Sequence, residues 1–320
     1  MRIIDRAKYI IKYCQEYGID TYTSVKLYDI YSHFINNSKL SDKLLSNKQN
    51  AILRYLSLYY EPDVYHNKKE ADFSVNDYQN CIWTAWLQGE EKEPEIIKLT
   101  ISSIKKYANG HDVIVLSDNN IKDFIEVPYE IKNKYDCGII GKAHYADIVR
   151  MMILAKYGGI WLDATILLHE PLNEMAFSLP FFSVGVNDGK SKYVSDHKWI
   201  VGILGGCRNS IYTKAISESL VSYWKNHDLP IDYFVFDYII ALLYLNNNSF
   251  RQIVKGLPQM KFNSNELKIV INEEYNEENM KRLFVDNQLF YLTYKYEYKK
   301  LTSDNRITYY GYLLNSLISR

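Results

Sequence analysis

The sequence lacks an excess of charge of either sign. Across 320 residues, 38 Lys and Arg balance 38 Asp and Glu, so the formal net charge is zero. This balance argues against nonspecific nucleic-acid binding, which needs a basic surface that releases counterions from phosphates. Because 47% of the residues are hydrophobic and only 24% are charged, the composition also excludes a chain that is disordered throughout.

Cysteine and histidine are few, and none of them has the spacing of a metal or redox motif. The four cysteines lie far apart, and the seven histidines include neither an H-x-H nor an H-E-x-x-H pair. We therefore expect reduced cysteines that pack as small hydrophobic residues.

Long apolar segments are missing as well. The chain begins Met-Arg-Ile-Ile-Asp-Arg, and these early charges interrupt the apolar core that a signal peptide needs. The most apolar later stretch, residues 233–245, contains Asp237 and is too short to span a bilayer. We expect a soluble, cytoplasmic protein that is at most peripheral to a membrane.

The character of the sequence changes near residue 76. Residues 1–75 show helical periodicity without catalytic spacing, and we predict a helical N-terminal subdomain there. Short apolar runs then alternate with helical patterns, which predicts an α/β domain over residues 76–320, divided at about residue 176. The predicted strands are 81–86, 112–116, 160–162, 181–186 and 199–204, and the predicted helices are 94–107, 121–136, 142–157, 212–224 and 233–245.

Chemistry-bearing residues fall at predicted strand ends, where open α/β sheets bind ligands. Trp83, Asp118 and Asp163 are placed at such ends. Asp147 and Arg150 are three residues apart and share a helix face, and a Gly-Gly then leads into the strand that ends at Asp163. Taken singly, such an Asp–Arg pair is more often a surface ion pair, and a strand-end Asp is often a turn residue.

In combination these groups suit a sugar nucleotide. Carboxylates accept hydrogen bonds from sugar hydroxyls, an arginine reaches hydroxyls or phosphate, and a second carboxylate can hold a divalent cation against a diphosphate.

Residues 144–168, HYADIVRMMILAKYGGIWLDATILL, resemble the capsular polysaccharide synthesis glycosyltransferases. That family is related to the D-x-D glycosyltransferases of family 32 and, distantly, to the glucosyltransferase domains of large bacterial toxins. Further segments that fit it are W-x-x-W-x-Q-G from Trp83, D-Y-F from Asp232 and L-T-Y-K ending at Lys295, so that the likeness runs from about residue 80 to 298.

The resemblance implies a glycosyltransferase-A type fold with a Rossmann-like donor half and added N-terminal and C-terminal helices. It implies that Trp83 stacks on the nucleobase and that Asp147 and Arg150 hold sugar and ribose hydroxyls. Asp163 would then face the metal or the ribose. On the acceptor side the candidates are Asp232, the better one, and Asp237.

One position departs from the wider D-x-D pattern, because Thr165 stands where the second acid would be. A neutral hydroxyl is a poorer ligand for Mn²⁺ or Mg²⁺ than a carboxylate. Two alternatives remain for the group that neutralises the negative charge of the diphosphate. Either a divalent cation rests on Asp163, Thr165, diphosphate oxygens and water, or Lys295 replaces it.

The resemblance implies an enzyme that moves a sugar, with retention, from a nucleotide sugar such as a UDP-sugar. The implied acceptor is a glycan or a lipid-linked oligosaccharide at the cytoplasmic membrane face. Two alternatives are a non-catalytic sugar-binding or scaffold protein of a polysaccharide assembly complex, for which Thr165 is the support, and a sugar-phosphate transferase.

Overall fold

The computed structural model describes residues 3–34, 38–60, 80–186, 191–260 and 266–318. The strands are β1 (Ile82–Ala85), β2 (Val113–Leu116), β3 (Gly159–Leu162), β4 (Ile166–Leu168), β5 (Gly185–Val186), β6 (Ile203–Gly206), β7 (Gln259–Met260) and β8 (Leu289–Tyr291). The helices are α1 (Ile3–Tyr17), α2 (Ile19–Phe34), α3 (Ser38–Tyr59), α4 (Glu95–Lys106), α5 (Ile121–Phe124), α6 (Tyr129–Asp136), α7 (Lys142–Tyr157), α8 (Ile211–Asn226), α9 (Val235–Asn246), α10 (Asn248–Lys255), α11 (Glu266–Val270), α12 (Glu277–Asp286) and α13 (Tyr309–Leu317).

A four-stranded sheet in the order β2-β1-β3-β6 forms the centre of the fold. Strand β1 runs parallel to β2 and β3, whereas β3 pairs with β6 in antiparallel register, Leu162 opposite Ile203. The carboxyl ends of β1, β2 and β3 therefore meet the beginning of β6 at one edge. This parallel-dominated sheet with helices confirms the predicted α/β class.

The link between α7 and β3 depends on two glycines. Gly158 and Gly159 have φ angles of +75° and +88°, which L side chains rarely adopt. A Cβ on Gly158 would lie 2.6 Å from the backbone nitrogen of Arg208, and one on Gly159 would overlap with the carbonyl oxygen of Cys81. With ψ near −154°, Gly158 lies outside the left-handed helical region despite its positive φ. Close backbone approach thus fixes where α7 ends and β3 begins.

A tight turn follows β3 and sends the chain into a second, smaller sheet. The backbone nitrogen of Ile166 donates to the carbonyl of Asp163 at 2.9 Å, which closes a turn with Thr165 inside it. Strand β4 then pairs antiparallel with β8, with Ile166 opposite Tyr291. The C-terminal part of the chain thereby reaches the same edge of the main sheet.

The N-terminal helices pack onto the region between α8 and α9. Tyr13 and Tyr17 of α1 donate hydrogen bonds to the carbonyls of Ile231 and Leu229. Lys48 of α3 forms an ion pair with Asp232 at 2.8 Å. One hydrophobic cluster includes residues of α1, α2 and α3 together with the main sheet. The predicted boundary near residue 76 lies outside the described residues and stays a prediction.

Most predicted helices agree with the structure, and α7 has the predicted bounds. Three predicted elements differ. The helix expected at 121–136 is broken into α5 and α6 around Pro128, which cannot donate a backbone hydrogen bond. The strands expected at 181–186 and 199–204 shorten to β5 and to a β6 that begins at Ile203.

Candidate active site at the carboxyl edge of the sheet

Arg150 lies at the centre of a polar cluster where α7 faces the end of β3. Its side chain is 5% exposed. One guanidinium nitrogen, Nη2, lies 2.8 Å from Asp163 Oδ1 and 3.3 Å from Asp147 Oδ1, and Nη1 donates to the carbonyl of Val201. The charge-assisted hydrogen bond to Asp163 is of the stronger kind, and the same buried guanidinium also contacts Asp147 and the segment before β6.

Asp163 is the most accessible acid of this cluster, with 34% of its side chain exposed. Both of its donors, Arg150 and the Trp161 indole at 2.9 Å, use Oδ1. The other oxygen, Oδ2, lies 2.7 Å from the point that a Cβ on Gly202 would occupy, and the hydroxyl of Tyr291 lies closer still to that point. The absence of a side chain at Gly202 therefore leaves room for a carboxylate oxygen and a phenol hydroxyl to approach the same point.

Two further carboxyl groups have altered proton affinities. Burial raises the pKa of Asp147 to about 7 against the lowering effect of Arg150, and the charge of Asp163 raises it further. Burial also raises the pKa of Asp237 on α9 to about 7, although the Trp199 indole donates to its Oδ1 at 3.1 Å. Near neutral pH these carboxyls can accept or donate hydrogen bonds, which suits the binding of hydroxyl groups.

Tyr291 was not identified from the sequence. Burial raises the pKa of its phenol well above the ordinary value, and the charge of Asp163 adds to this effect while Arg150 opposes it. The phenol is therefore a neutral hydrogen-bonding group beside Asp163. Gly202 and Trp199 were also missed, because they precede a strand that runs antiparallel to its neighbour.

The acids fit a divalent cation only if a substrate helps to bind it. Mg²⁺ is usually held by one or two carboxylates and completes its coordination with substrate phosphates and water. Asp163 offers Oδ2, and Thr165, two residues on, is half-buried and neutral. In the parts of the chain that the structure describes, no group of three His, Cys, Asp or Glu residues is arranged to hold a metal.

The structure does not place Trp83 where a nucleobase could stack on it. Its side chain is 0% exposed, its indole donates to the carbonyl of Gly158 at 3.0 Å, and its ring packs against Tyr157 and Phe124. The strand predicted at 81–86 is present, but the placement of Trp83 at its end was wrong, because Trp83 lies within β1, which continues to Ala85. Trp83 is a core residue.

Trp86 is the tryptophan that follows the end of β1. It is half-buried, and its ring lies 5.3 Å from that of Tyr294 at 80°. Lys295 is exposed, and its ammonium lies 5.8 Å from the Tyr294 ring. The predicted nucleotide-side lysine is therefore on the same surface as Trp86, at the carboxyl end of a parallel strand.

The two candidate acceptor acids have different environments. Asp232 is tied to Lys48 and also accepts from the backbone nitrogen of Phe234 at 2.9 Å, so it orders the start of α9. Asp237 lies in the site, where the charges of Asp147 and Arg150 act on it. The preference for Asp232 over Asp237 does not agree with this geometry.

Taken together, the fold and the site define an α/β protein whose acid–arginine cluster lies at the carboxyl edge of parallel strands, where such sheets bind ligands. Residues 33–313 match the family described as capsular polysaccharide synthesis protein. Because this match covers most of the chain, the protein belongs to that family. The match begins well before the motifs and includes α3. No curated protein sequence matches the chain.

Three solved structures show a remote likeness. The chain is 13% identical to the PaToxG glycosyltransferase, with a TM-score of 0.40 over 74% of this chain and 82% of that one. The chain is 12% identical to the WbbM bifunctional glycosyltransferase in its apo form, with a TM-score of 0.41 over 78% of this chain and 51% of that one. It is 10% identical to a glycosyltransferase involved in glycosylation of the major capsid of PBCV-1, with a TM-score of 0.35 over 66% of this chain and 93% of that one. Likenesses this remote carry no information on substrate or mechanism.

Proposed function

We propose that the protein is a glycosyltransferase of the glycosyltransferase-A type that moves a sugar from a UDP-sugar to a glycan acceptor in capsular polysaccharide synthesis. The observation that supports this most directly is the contact of Arg150 with both Asp147 and Asp163 at the carboxyl edge of the sheet. Such a set of carboxylates binds the hydroxyls of a sugar and a ribose, and the diphosphate lies beside Asp163 Oδ2.

In the proposed site the nucleobase stacks on Trp86 and Tyr294 rather than on Trp83. Trp86 and Tyr294 are adjacent and accessible, and Lys295 next to them can contact the diphosphate. Stacking of a base on an aromatic ring contributes about 1–3 kcal/mol. In this proposal the half-buried Trp86 and the exposed Tyr294 supply the ring surface on which the base stacks.

The proposed reaction proceeds with retention, the acceptor hydroxyl approaching on the face from which the diphosphate departs. The bond from the anomeric carbon to the diphosphate oxygen breaks, a bond to the acceptor oxygen forms, and the acceptor proton passes to the departing diphosphate. Arg150 fixes Asp163, while Asp147 and Asp237 accept hydrogen bonds from donor and acceptor hydroxyls. A cation held by Asp163 and Thr165 would supply positive charge at the diphosphate.

No helix within the described ranges is long and apolar enough to cross a membrane. We keep a lipid-linked oligosaccharide at a membrane face as one candidate acceptor.

Calorimetry with nucleotides and turnover with a panel of UDP-sugars test the proposal. Wild-type protein is expected to bind UDP more tightly than GDP or CMP. Asp163→Asn and Arg150→Lys are expected to reduce transfer by at least about 100-fold, since lysine cannot bridge several acceptors as a guanidinium does. Asp136→Asn is the control, because Asp136 is a carboxylate that forms an exposed ion pair with Lys132.

Absence of nucleotide binding in the folded wild-type protein would refute the proposal. A phosphodiester in the product, seen by phosphorus NMR, would assign sugar-phosphate transfer instead. Donor binding without any transfer would assign the non-catalytic alternative.

A further inference from the structure

Three exposed aromatic side chains lie together at the start of α9. Tyr193, Tyr233 and Phe234 are 38%, 64% and 37% exposed. The Phe234 ring lies 5.0 Å from that of Tyr193 and 5.1 Å from that of Tyr233, and both pairs pack edge to face. We call these three residues the aromatic platform. Contiguous exposed apolar surface on a soluble domain usually marks a binding site.

The platform borders the cluster formed by Asp147, Arg150 and Asp163. The Nε2–H of His144 on α7 donates to the carbonyl of Tyr233 at 3.2 Å, and the two rings are 5.5 Å apart. His144, Asp147 and Arg150 follow one another at intervals of three residues and so share one face of α7. Partial burial and the charge of Asp147 raise the pKa of Tyr233, which agrees with this proximity.

A hydrogen bond and an ion pair of Asp232 anchor the backbone next to the platform. Asp232 accepts a hydrogen bond from the backbone nitrogen of Phe234 at 2.9 Å and forms an ion pair with Lys48 at 2.8 Å. The side chains of Asp232 and Lys48 are only 7% and 13% exposed, so this pair is shielded from solvent. Because the backbone that carries Phe234 is anchored before any ligand arrives, its fixing adds no entropic cost to binding.

We propose that the aromatic platform binds a pyranose ring of the acceptor glycan, an assignment that rests on the proposed glycosyltransferase function. Tyrosine combines an apolar ring with a polar edge, which matches the C–H face and the hydroxyl rim of a pyranose. A sugar stacked on Tyr233 presents its hydroxyls to the carboxyl cluster of Asp147 and Asp237, where hydrogen bonds to hydroxyls are available.

A lipid chain fits this place less well than a sugar does. An acyl or prenyl chain needs a dry apolar groove, whereas Tyr233 is two-thirds exposed and lies within electrostatic range of Asp147 and Asp163. Buried or half-buried carboxyl groups bordering the rings would lose hydration without gaining a partner. Carbohydrate hydroxyls supply the partner that hydrocarbon lacks.

Saturation-transfer NMR on the protein, with and without added UDP, tests the platform with simple probes. The probes are methyl glucopyranoside, methyl galactopyranoside, maltose and lactose at millimolar concentration, because stacking on a C–H face is common to pyranoses. Wild-type protein is expected to transfer saturation to the ring C–H protons, and Tyr233→Phe is expected to retain this transfer. The double variant Tyr193→Ala/Tyr233→Ala is expected to bind the probes about tenfold more weakly, since two stacking contacts are lost.

Tyr129→Ala is the matched control, because Tyr129 is a tyrosine at the start of α6 that is 79% exposed. All variants are expected to keep wild-type melting temperatures and UDP affinity. No saturation transfer to any probe in wild-type protein, or equal transfer in the double variant, would overturn the proposal.

The same experiment separates this proposal from the proposed function. Probe binding that depends on the platform in a protein that binds no nucleotide would leave a sugar site but refute a UDP-sugar transferase. Cosedimentation with vesicles of phosphatidylethanolamine and phosphatidylglycerol tests whether the platform binds a membrane instead. Cosedimentation that is lost in Tyr193→Ala/Tyr233→Ala, without probe binding in wild-type protein, would assign the rings to a lipid surface and overturn the glycan proposal.

Discussion

Gly202→Ala is expected to damage the site more than the fold. The carbonyl of Gly202 accepts from the backbone nitrogen of Asp163 at 2.9 Å, which keeps this glycine opposite the end of β3. An added Cβ would overlap with the Tyr291 hydroxyl and lie 2.7 Å from Asp163 Oδ2 and 3.0 Å from Tyr291 Cζ. Because the Tyr291 phenol is buried, it cannot swing aside into solvent.

Overpacking of this kind costs about 1–3 kcal/mol of unfolding free energy. The effect on transfer is expected to be larger, because a displacement of about 1 Å in a catalytic group reduces rates by about 100-fold. Thermal unfolding gives the first quantity, and turnover with the UDP-sugar that binds wild-type protein gives the second. Gly256→Ala is the control, since its added Cβ would make only ordinary contacts at 3.5 Å with a negative φ.

The double variant Gly202→Ala/Tyr291→Phe tests the cause. Removal of the hydroxyl relieves the closest overlap, so the double variant is expected to regain stability relative to Gly202→Ala, and the coupling energy measures the clash. If Gly202→Ala melts and turns over like wild-type protein, Tyr291 and Asp163 do not meet at this position, and the described geometry of the site is wrong.

Three other perturbations have distinct expected outcomes. Trp83→Phe should lower the unfolding free energy by about 1–3 kcal/mol without changing UDP affinity, whereas Trp86→Ala should weaken UDP binding by about 1–3 kcal/mol in calorimetry with little change in melting. Burial lowers the pKa of both His144 and His227 below the ordinary 6.5. Burial has the opposite effect on Asp147 and Asp237, whose pKa it raises to about 7, so the histidine contribution is measured as the difference in unfolding free energy between wild-type protein and His227→Gln. Because the unfolded chain binds more protons at His227 than the folded chain does, this difference should be complete above about pH 6.5 and shrink on acidification; an equal difference at pH 5 and 7 would contradict this. Exhaustive chelation should abolish transfer and added Mn²⁺ should restore it, whereas full transfer in chelator would assign the diphosphate charge to Lys295.

Local patterns predicted α7, the Gly-Gly link and β3, because each depends on neighbours a few residues away. The same patterns placed Trp83 at the end of a strand and left Trp86 without a role. All of Ile82 to Thr84 is buried, so β1 has no polar alternation that would show its length. A strand covered on both faces leaves its end undefined in the sequence.

The remaining site residues arise from pairings between distant segments. Tyr291 reaches the site because β8 pairs with β4, and Gly202 because β6 runs opposite to β3. Neither direction nor partner of a short strand is encoded locally. Likewise, the role of Asp232 depends on Lys48, which belongs to a helix far away in the sequence. Long-range contacts of this kind decide which of two similar acids faces the site.

The attachment of α1 and α3 near Asp232 has a consequence for the order in which the chain can fold. Tyr13 bonds to the carbonyl of Ile231, 218 residues later in the sequence. On the ribosome, the tyrosine-rich faces of the first helices are therefore made long before their partners and stay uncovered while the sheet is synthesised. Contacts this distant slow folding and expose apolar surface to aggregation. The nascent N-terminal helices thus lack these partners until the segment that contains Ile231 has been synthesised.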